Sequence, residues 1–221
     1  MKVKICGITN LDDAQRSIEL GASMLGFLFA QSPRLVSPVE VSSILESLDG
    51  RGLLKEVKTC GIFVNESPRV MESIMRDTGL DFAQIHGDDT AALCSTYSFA
   101  WYRAFRIATR ADYDRLAPAG GSEWRCPIIL ADSYVRGVYG GTGMSVSADT
   151  ANYVKGKVHA AGKEFFLAGG ITPVNVAEFI AAVGPDGIDV ASGVEEKPGK
   201  KSKEKLEKLF AAIAESVKAA V

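Results

Sequence analysis

Phe165-Phe166-Leu167-Ala168-Gly169-Gly170-Ile171-Thr172, followed one amphipathic stretch later by Gly187-Ile188-Asp189-Val190-Ala191-Ser192-Gly193, decides the fold of this 221-residue chain. Each is a short apolar run that stops in small residues. A strand ending at Gly-Gly leaves backbone N–H groups bare, and a helix starting there adds its positive end, which together suit a phosphate. Either run alone is better explained by a tight αβ turn. As a pair in the last quarter of the chain, they read as the loops after strands 7 and 8 of a (β/α)8 barrel.

Working outward, short apolar runs alternate with amphipathic stretches along the whole chain. Strands are predicted at 2–6, 24–29, 59–64, 82–86, 101–107, 127–131, 164–168 and 187–190. Helices are predicted near 10–20, 38–48, 67–77, 89–98, 111–116, 147–161, 174–183 and 202–219. Asn10, Ser37-Pro38, Ser67-Pro68 and Thr172-Pro173 supply cap or first-turn residues. A repeated βα order implies a parallel sheet with right-handed crossovers. A doubly wound sheet would carry a dinucleotide fingerprint after its first strand, and Cys6-Gly7-Ile8-Thr9 is not one. The expected fold is α/β, a single (β/α)8 TIM barrel over residues 1–221, with the active site at the C-terminal face of the strands.

Composition narrows the function. The net charge is −2, and the Lys/Glu alternation over 197–208 reads as a solvated helix face rather than a nucleic-acid patch. No apolar run approaches the ~18 residues of a membrane span. The first strand starts within two residues of Met1, leaving no room for a signal peptide. Cys6, Cys60, Cys94 and Cys126 form no CxxC pair, and only His86 and His159 accompany them, so neither zinc nor a disulfide framework is supported. A reduced cytoplasmic protein is expected, without nucleic-acid or membrane partners.

Residues at the strand ends are the functional candidates. The first strand ends at Cys6, the second leads to Ser32-Pro33-Arg34, and the fourth ends at His86. The sixth ends at Asp132 and feeds a glycine-rich segment containing Gly140, Gly141 and Gly143, either a loop that orders over phosphate or a merely flexible one. Strand alternation puts Lys4 on the same inward face as Cys6, while Val3 and Ile5 face the helices. A lysine inside a barrel must be paired. On closure the eighth strand neighbours the first, so a Lys4–Asp189 pair is predicted, more structural than catalytic.

These residues carry a resemblance. Lys4-Ile5-Cys6-Gly7-Ile8-Thr9, Gly26-Phe27-Leu28-Phe29 with Ser32-Pro33-Arg34, Gly61-Ile62-Phe63-Val64-Asn65, and Gln84-Ile85-His86-Gly87 match one family in order. So do Asp132-Ser133, Gly140-Gly141-Thr142-Gly143, Ala168-Gly169-Gly170-Ile171 and Asp189-Val190-Ala191-Ser192-Gly193-Val194-Glu195. The chain resembles the phosphoribosylanthranilate isomerases of tryptophan biosynthesis. It departs from them at Ser145-Val146-Ser147, where they carry an aromatic-acidic pair, and at Ser202, where they carry an acid.

The resemblance implies an Amadori rearrangement of N-(5-phosphoribosyl)anthranilate to 1-(2-carboxyphenylamino)-1-deoxyribulose 5-phosphate, with neither metal nor cofactor. It implies Cys6 as general base and Asp132 as general acid, against the plainer readings of a buried hydrophobe and an Asx-turn residue. It implies Arg34 on the anthranilate carboxylate, where an exposed surface arginine is the plainer reading. His86 lines the site or is simply a packed histidine. Phosphate goes to Gly169, Gly170, Ala191, Ser192 and Gly193, with Gly140, Gly141 and Gly143 beside it. A base role for Cys6 needs thiolate character, which a nearby cation or helix end could promote. Rival readings are another cofactor-free sugar-phosphate barrel, such as a histidine-pathway aminoaldose isomerase or a pentose-phosphate epimerase, and a non-catalytic phosphate-binding barrel. The first rival uses two aspartates and the second needs histidine ligands. The partner is a small phosphorylated substrate, and the assembly a monomer or homodimer.

Overall fold

Strands with both faces covered read as nearly unbroken apolar runs, and such runs recur here through the chain. In the computed structural model, which describes residues 1–132 and 146–219, they close into one parallel barrel. Its strands are β1 (Lys2–Cys6), β2 (Met24–Leu28), β3 (Lys58–Val64), β4 (Phe82–His86), β5 (Trp101–Arg106), β6 (Ile128–Asp132), β7 (Glu164–Ala168) and β8 (Gly187–Val190). Each pairs with the next, and β8 returns to β1 with Lys4 opposite Asp189 and Ile5 opposite Val190. That closure is the (β/α)8 expectation met.

The helices lie outside: α1 (Leu11–Glu19), α2 (Pro38–Asp49), α3 (Pro68–Thr78), α4 (Ala91–Cys94), α5 (Arg110–Leu116), α6 (Ala148–Ala160), α7 (Val176–Val183) and α8 (Lys203–Ala219). Local chemistry starts most of them where the sequence predicts. The Asn10 side chain accepts from Asp13 N–H at 2.9 Å, and Ser37 forms a reciprocal capping box with Glu40 ahead of Pro38. Ser147 accepts from Thr150 N–H at 3.1 Å, so the Ser145-Val146-Ser147 departure still ends in a working cap. Among the described residues no helix is long and apolar enough to cross a membrane.

Three expectations fail, each for a local reason. The helix predicted over 89–98 shrinks to Ala91–Cys94, because the Ser95 and Thr96 hydroxyls take the Ala91 and Leu93 carbonyls at 2.7 Å each. Thr172-Pro173 does not open α7. The Asn175 side chain accepts from Thr172 N–H at 2.7 Å and donates to the Gly170 carbonyl at 2.9 Å, fixing a turn that delays the helix to Val176.

The third failure is the segment predicted as a solvated helix face over 197–208. After β8 the chain makes a 3-10 turn (Ser192–Val194) and a hairpin, β9 (Glu195–Lys197) and β10 (Lys200–Lys201). Only then does α8 begin, its first turn capped by Ser202 accepting from Lys205 N–H at 3.3 Å. Ser202 also donates its own N–H to the Val194 carbonyl at 2.8 Å. Lys201 is buried, not solvated.

Candidate active site

The C-terminal ends of the strands enclose a cavity of about 540 Å³. Cys6 closes β1, His86 closes β4, Arg106 closes β5 and Asp132 closes β6, and all four line it. Arg34 enters from the β2–α2 loop, and Gly169, Gly170, Ala191, Ser192 and Gly193, after β7 and β8, also line it. Every sequence-predicted site residue among those described thus meets in one place. Gly140, Gly141 and Gly143 lie outside the described residues. A second cavity, at the strands' N-terminal ends, is lined by paired charges such as Lys2–Glu164 at 2.6 Å and holds none of the candidates.

The glycine wall is built by close approach. Gly169 and Gly170 take φ of +93° and +69°, a region open to glycine and strained for other residues. A Cβ on Gly193 would lie 1.9 Å from the Ile171 carbonyl oxygen, so glycine alone lets the post-β8 turn seat on the post-β7 loop. The leading N–H groups of the 3-10 turn at Ser192 have no acceptor within that turn. Two strand ends therefore share one polar backbone surface.

Beneath the cavity a buried polar chain runs across the barrel. Lys4 Nζ donates to Asp189 Oδ2 and to Gln84 Oε1, each at 2.6 Å, so the predicted pair is present. Tyr102 Oη donates to the same Gln84 oxygen at 2.7 Å. With its oxygen so occupied, the Gln84 amide nitrogen faces His86 Nε2 and donates to it, which puts the ring proton of the neutral tautomer on Nδ1. Burial pushes His86 down to about 3, helped by the positive charges of Lys4, Arg106 and Arg103. Burial opposes the Lys4 charge, yet Asp189, with Cys6 and Cys60, more than offsets it and the ammonium is held above its ordinary range. Asp189 Oδ1 is buried with no hydrogen-bond partner among the described residues.

Cys6 lies at the upper end of this chain. Gly26 leaves room for it: a Cβ there would sit 3.0 Å from both Cys6 Sγ and Lys4 Cε. Burial raises the thiol above its ordinary value, and the cations Lys4 and Lys201 pull the other way without prevailing. Among the described residues desolvation therefore outweighs the two nearby cations that would favour a thiolate. Cys60, buried against Tyr102 Oη at 3.3 Å, is pushed up to about 12 by burial.

Arg34 departs from expectation in its partner. Its Nε and Nη2 donate to Glu195 Oε1 and Oε2 at 2.8 and 2.6 Å, a two-pronged fork on a carboxylate of the chain itself. Among the described residues no acceptor meets Nη1. Gly7, with φ +76°, makes this possible, since a Cβ there would lie 2.6 Å from Arg34 Cδ. Glu195 also accepts from Lys201 Nζ at 3.0 Å. The sequence reading gave Gln84, Arg106, Glu195 and Lys201 no role. Gln84 was detectable as the inward neighbour two residues before His86, whereas nothing local distinguishes Lys201 within a lysine-rich segment.

Comparison with known proteins bears on the family and the fold. The family model described as N-(5'phosphoribosyl)anthranilate (PRA) isomerase matches residues 3–212. An N-(5'-phosphoribosyl)anthranilate isomerase of Trichlorobacter lovleyi is 38% identical over 207 residues, covering 93% of this chain and 94% of that protein. The crystal structure of phosphoribosyl anthranilate isomerase from Thermotoga maritima superposes with a TM-score of 0.84 at 31% identity, covering 97% of this chain and 99% of that one. Another solved phosphoribosyl anthranilate isomerase, 29% identical with a TM-score of 0.79 and the same coverage, holds reduced 1-(o-carboxyphenylamino)-1-deoxyribulose 5-phosphate.

Proposed function

This chain belongs to the N-(5'-phosphoribosyl)anthranilate isomerase family, and from that premise we propose how its own residues divide the work. The family's reaction is an Amadori rearrangement in which the aminoaldose ring opens and the C1–C2 unit isomerises. A general acid protonates the ring oxygen as the C1–O bond breaks, giving a Schiff base. A general base removes the C2 proton, and the resulting enolamine becomes the ketone.

Asp132 is the acid and Cys6 the base. The observation that carries this is their placement at the ends of β6 and β1, lining one cavity with the glycine surface of β7 and β8 between them. The backbone around Gly169, Gly170, Ala191, Ser192 and Gly193 receives the 5'-phosphate. The free Nη1 edge of Arg34 takes the anthranilate carboxylate, with Glu195 holding the fork in place. Neutral His86, aimed by Gln84, offers Nδ1–H to the substrate. No cofactor is needed.

Cys6→Ser and Asp132→Asn decide the assignment in a direct assay with freshly generated phosphoribosylanthranilate. Each is expected to lower kcat by about 10²–10⁴-fold while leaving product-analogue affinity largely intact. Near wild-type kcat in either variant removes that residue from the chemistry. We place the enzyme in the cytoplasm as one domain over residues 1–221, acting as a monomer or homodimer; its free, buried cysteines fit a reducing compartment.

A further inference from the structure

Lys201 is a buried charge outside the barrel lumen, and nothing in the acid–base scheme uses it. It reaches inward from β10, with a side chain wholly removed from solvent. Its Nζ donates to three acceptors: the Cys6 carbonyl at 2.6 Å, the Ala191 carbonyl at 3.2 Å and Glu195 Oε1 at 3.0 Å. An ammonium has three donors, and all three are used. The two carbonyls end neighbouring strands at the seam where β8 closes on β1. One belongs to the proposed base, and the other immediately precedes the phosphate-binding turn.

We propose that Lys201 is a positioning residue for Cys6, fixing its peptide and supplying cationic field that favours the thiolate during turnover. This inference rests on the reading of Cys6 as the base. The groups facing Cys6 support it when taken together. Lys4 lies on its own strand, Asp189 on β8, Arg34 on the β2–α2 loop, and Cys60 and Tyr102 on β3 and β5. Glu195 stands between Arg34 and Lys201. Lys4, Arg34 and Lys201 are three cations against the carboxylates of Asp189 and Glu195, and the surplus positive charge is what a thiolate at Cys6 would balance. Lys201 is the member that also holds the Cys6 backbone, so its loss removes charge and alignment together. The hairpin thereby becomes part of the reaction apparatus rather than a connector to α8.

The test compares Lys201→Met and Lys201→Arg in the full chain. It reads the pH profile of kcat/KM and the pH dependence of Cys6 alkylation by iodoacetamide, localised by mass spectrometry. In Lys201→Met the acid-side limb of both profiles should move up by about one pH unit, making alkylation near pH 8 about tenfold slower. Lys201→Arg should keep the wild-type limb. A folded Lys201→Met with an unmoved limb and only a lower Tm reduces Lys201 to a structural tie and overturns the proposal. Should Lys201→Met fail to fold, Lys201→Gln, which keeps N–H donors without charge, carries the same decision. Failure of both neutral variants to fold beside a wild-type Lys201→Arg also overturns it. Cys6→Ser with wild-type turnover instead sinks the base assignment, whereas an inactive Cys6→Ser with an unmoved limb in Lys201→Met sinks this inference alone.

Discussion

Cys6 and His86 share a cavity, and burial pushes both toward their neutral forms by opposite routes. For His86 the folded value of about 3 lies below the ordinary 6.5, so the unfolded chain takes up a proton first on acidification. Stability is then complete above the unfolded value and drains away as pH falls from about 6.5, at up to ~1.4 kcal/mol per pH unit for one proton. His86→Asn should flatten this slope in urea unfolding series at successive pH values; parallel slopes would show that His86 is not the proton acceptor. For Cys6 the raised thiol means that the proposed base is protonated at neutral pH. The acid-side limb of kcat/KM should therefore rise through the ordinary thiol range and continue above it. A plateau already reached below pH 7 would exclude free-enzyme Cys6 thiolate as the working base. Arg34→Ala should raise KM more than Arg34→Lys, because lysine keeps charge while losing the fork. An unchanged KM in the alanine variant removes Arg34 from substrate recognition.

At the scale of elements, the strand ends and the turns after them do the positioning. Gly193 joins the post-β8 turn to the post-β7 loop, since any side chain would strike the Ile171 carbonyl. Gly193→Ala must push those loops apart, so it should weaken product-analogue binding in calorimetry by more than it lowers kcat. Unaltered affinity would show that the phosphate lies elsewhere. The β1–β8 seam is held by the buried Lys4–Asp189 pair. Lys4→Met strands the Asp189 carboxylate and should destabilise by about 3–5 kcal/mol, while Lys4→Met with Asp189→Leu should recover much of that loss. A single variant as stable as wild type would mean that the pair contributes nothing to closure. The sequence foresaw this pair because alternation put Lys4 inward and barrel closure brought β8 beside β1. It misplaced the start of α7 and the length of α4 because side chains there compete with the helix for backbone partners, a contest that periodicity does not register.

For the molecule as a whole, function follows from bringing separated strand ends to one rim. The order of strands, the ends that carry Cys6, His86 and Asp132, and the glycine loops were all legible, because each is written in a few adjacent residues. The closed barrel then followed from the βα alternation, since local period and short connections leave few topologies open. The fork between Arg34 and Glu195 joins residues 161 positions apart, and the bond from Lys201 to the Cys6 carbonyl spans 195. No local pattern selects one lysine among the several of the 197–208 segment for burial; its three acceptors exist only after β8 has closed on β1. The same holds for the state of Cys6. Its position was set by the strand, but whether the thiol is raised or lowered depends on desolvation weighed against Lys4 and Lys201, and that balance has a value only once the barrel has excluded water around them.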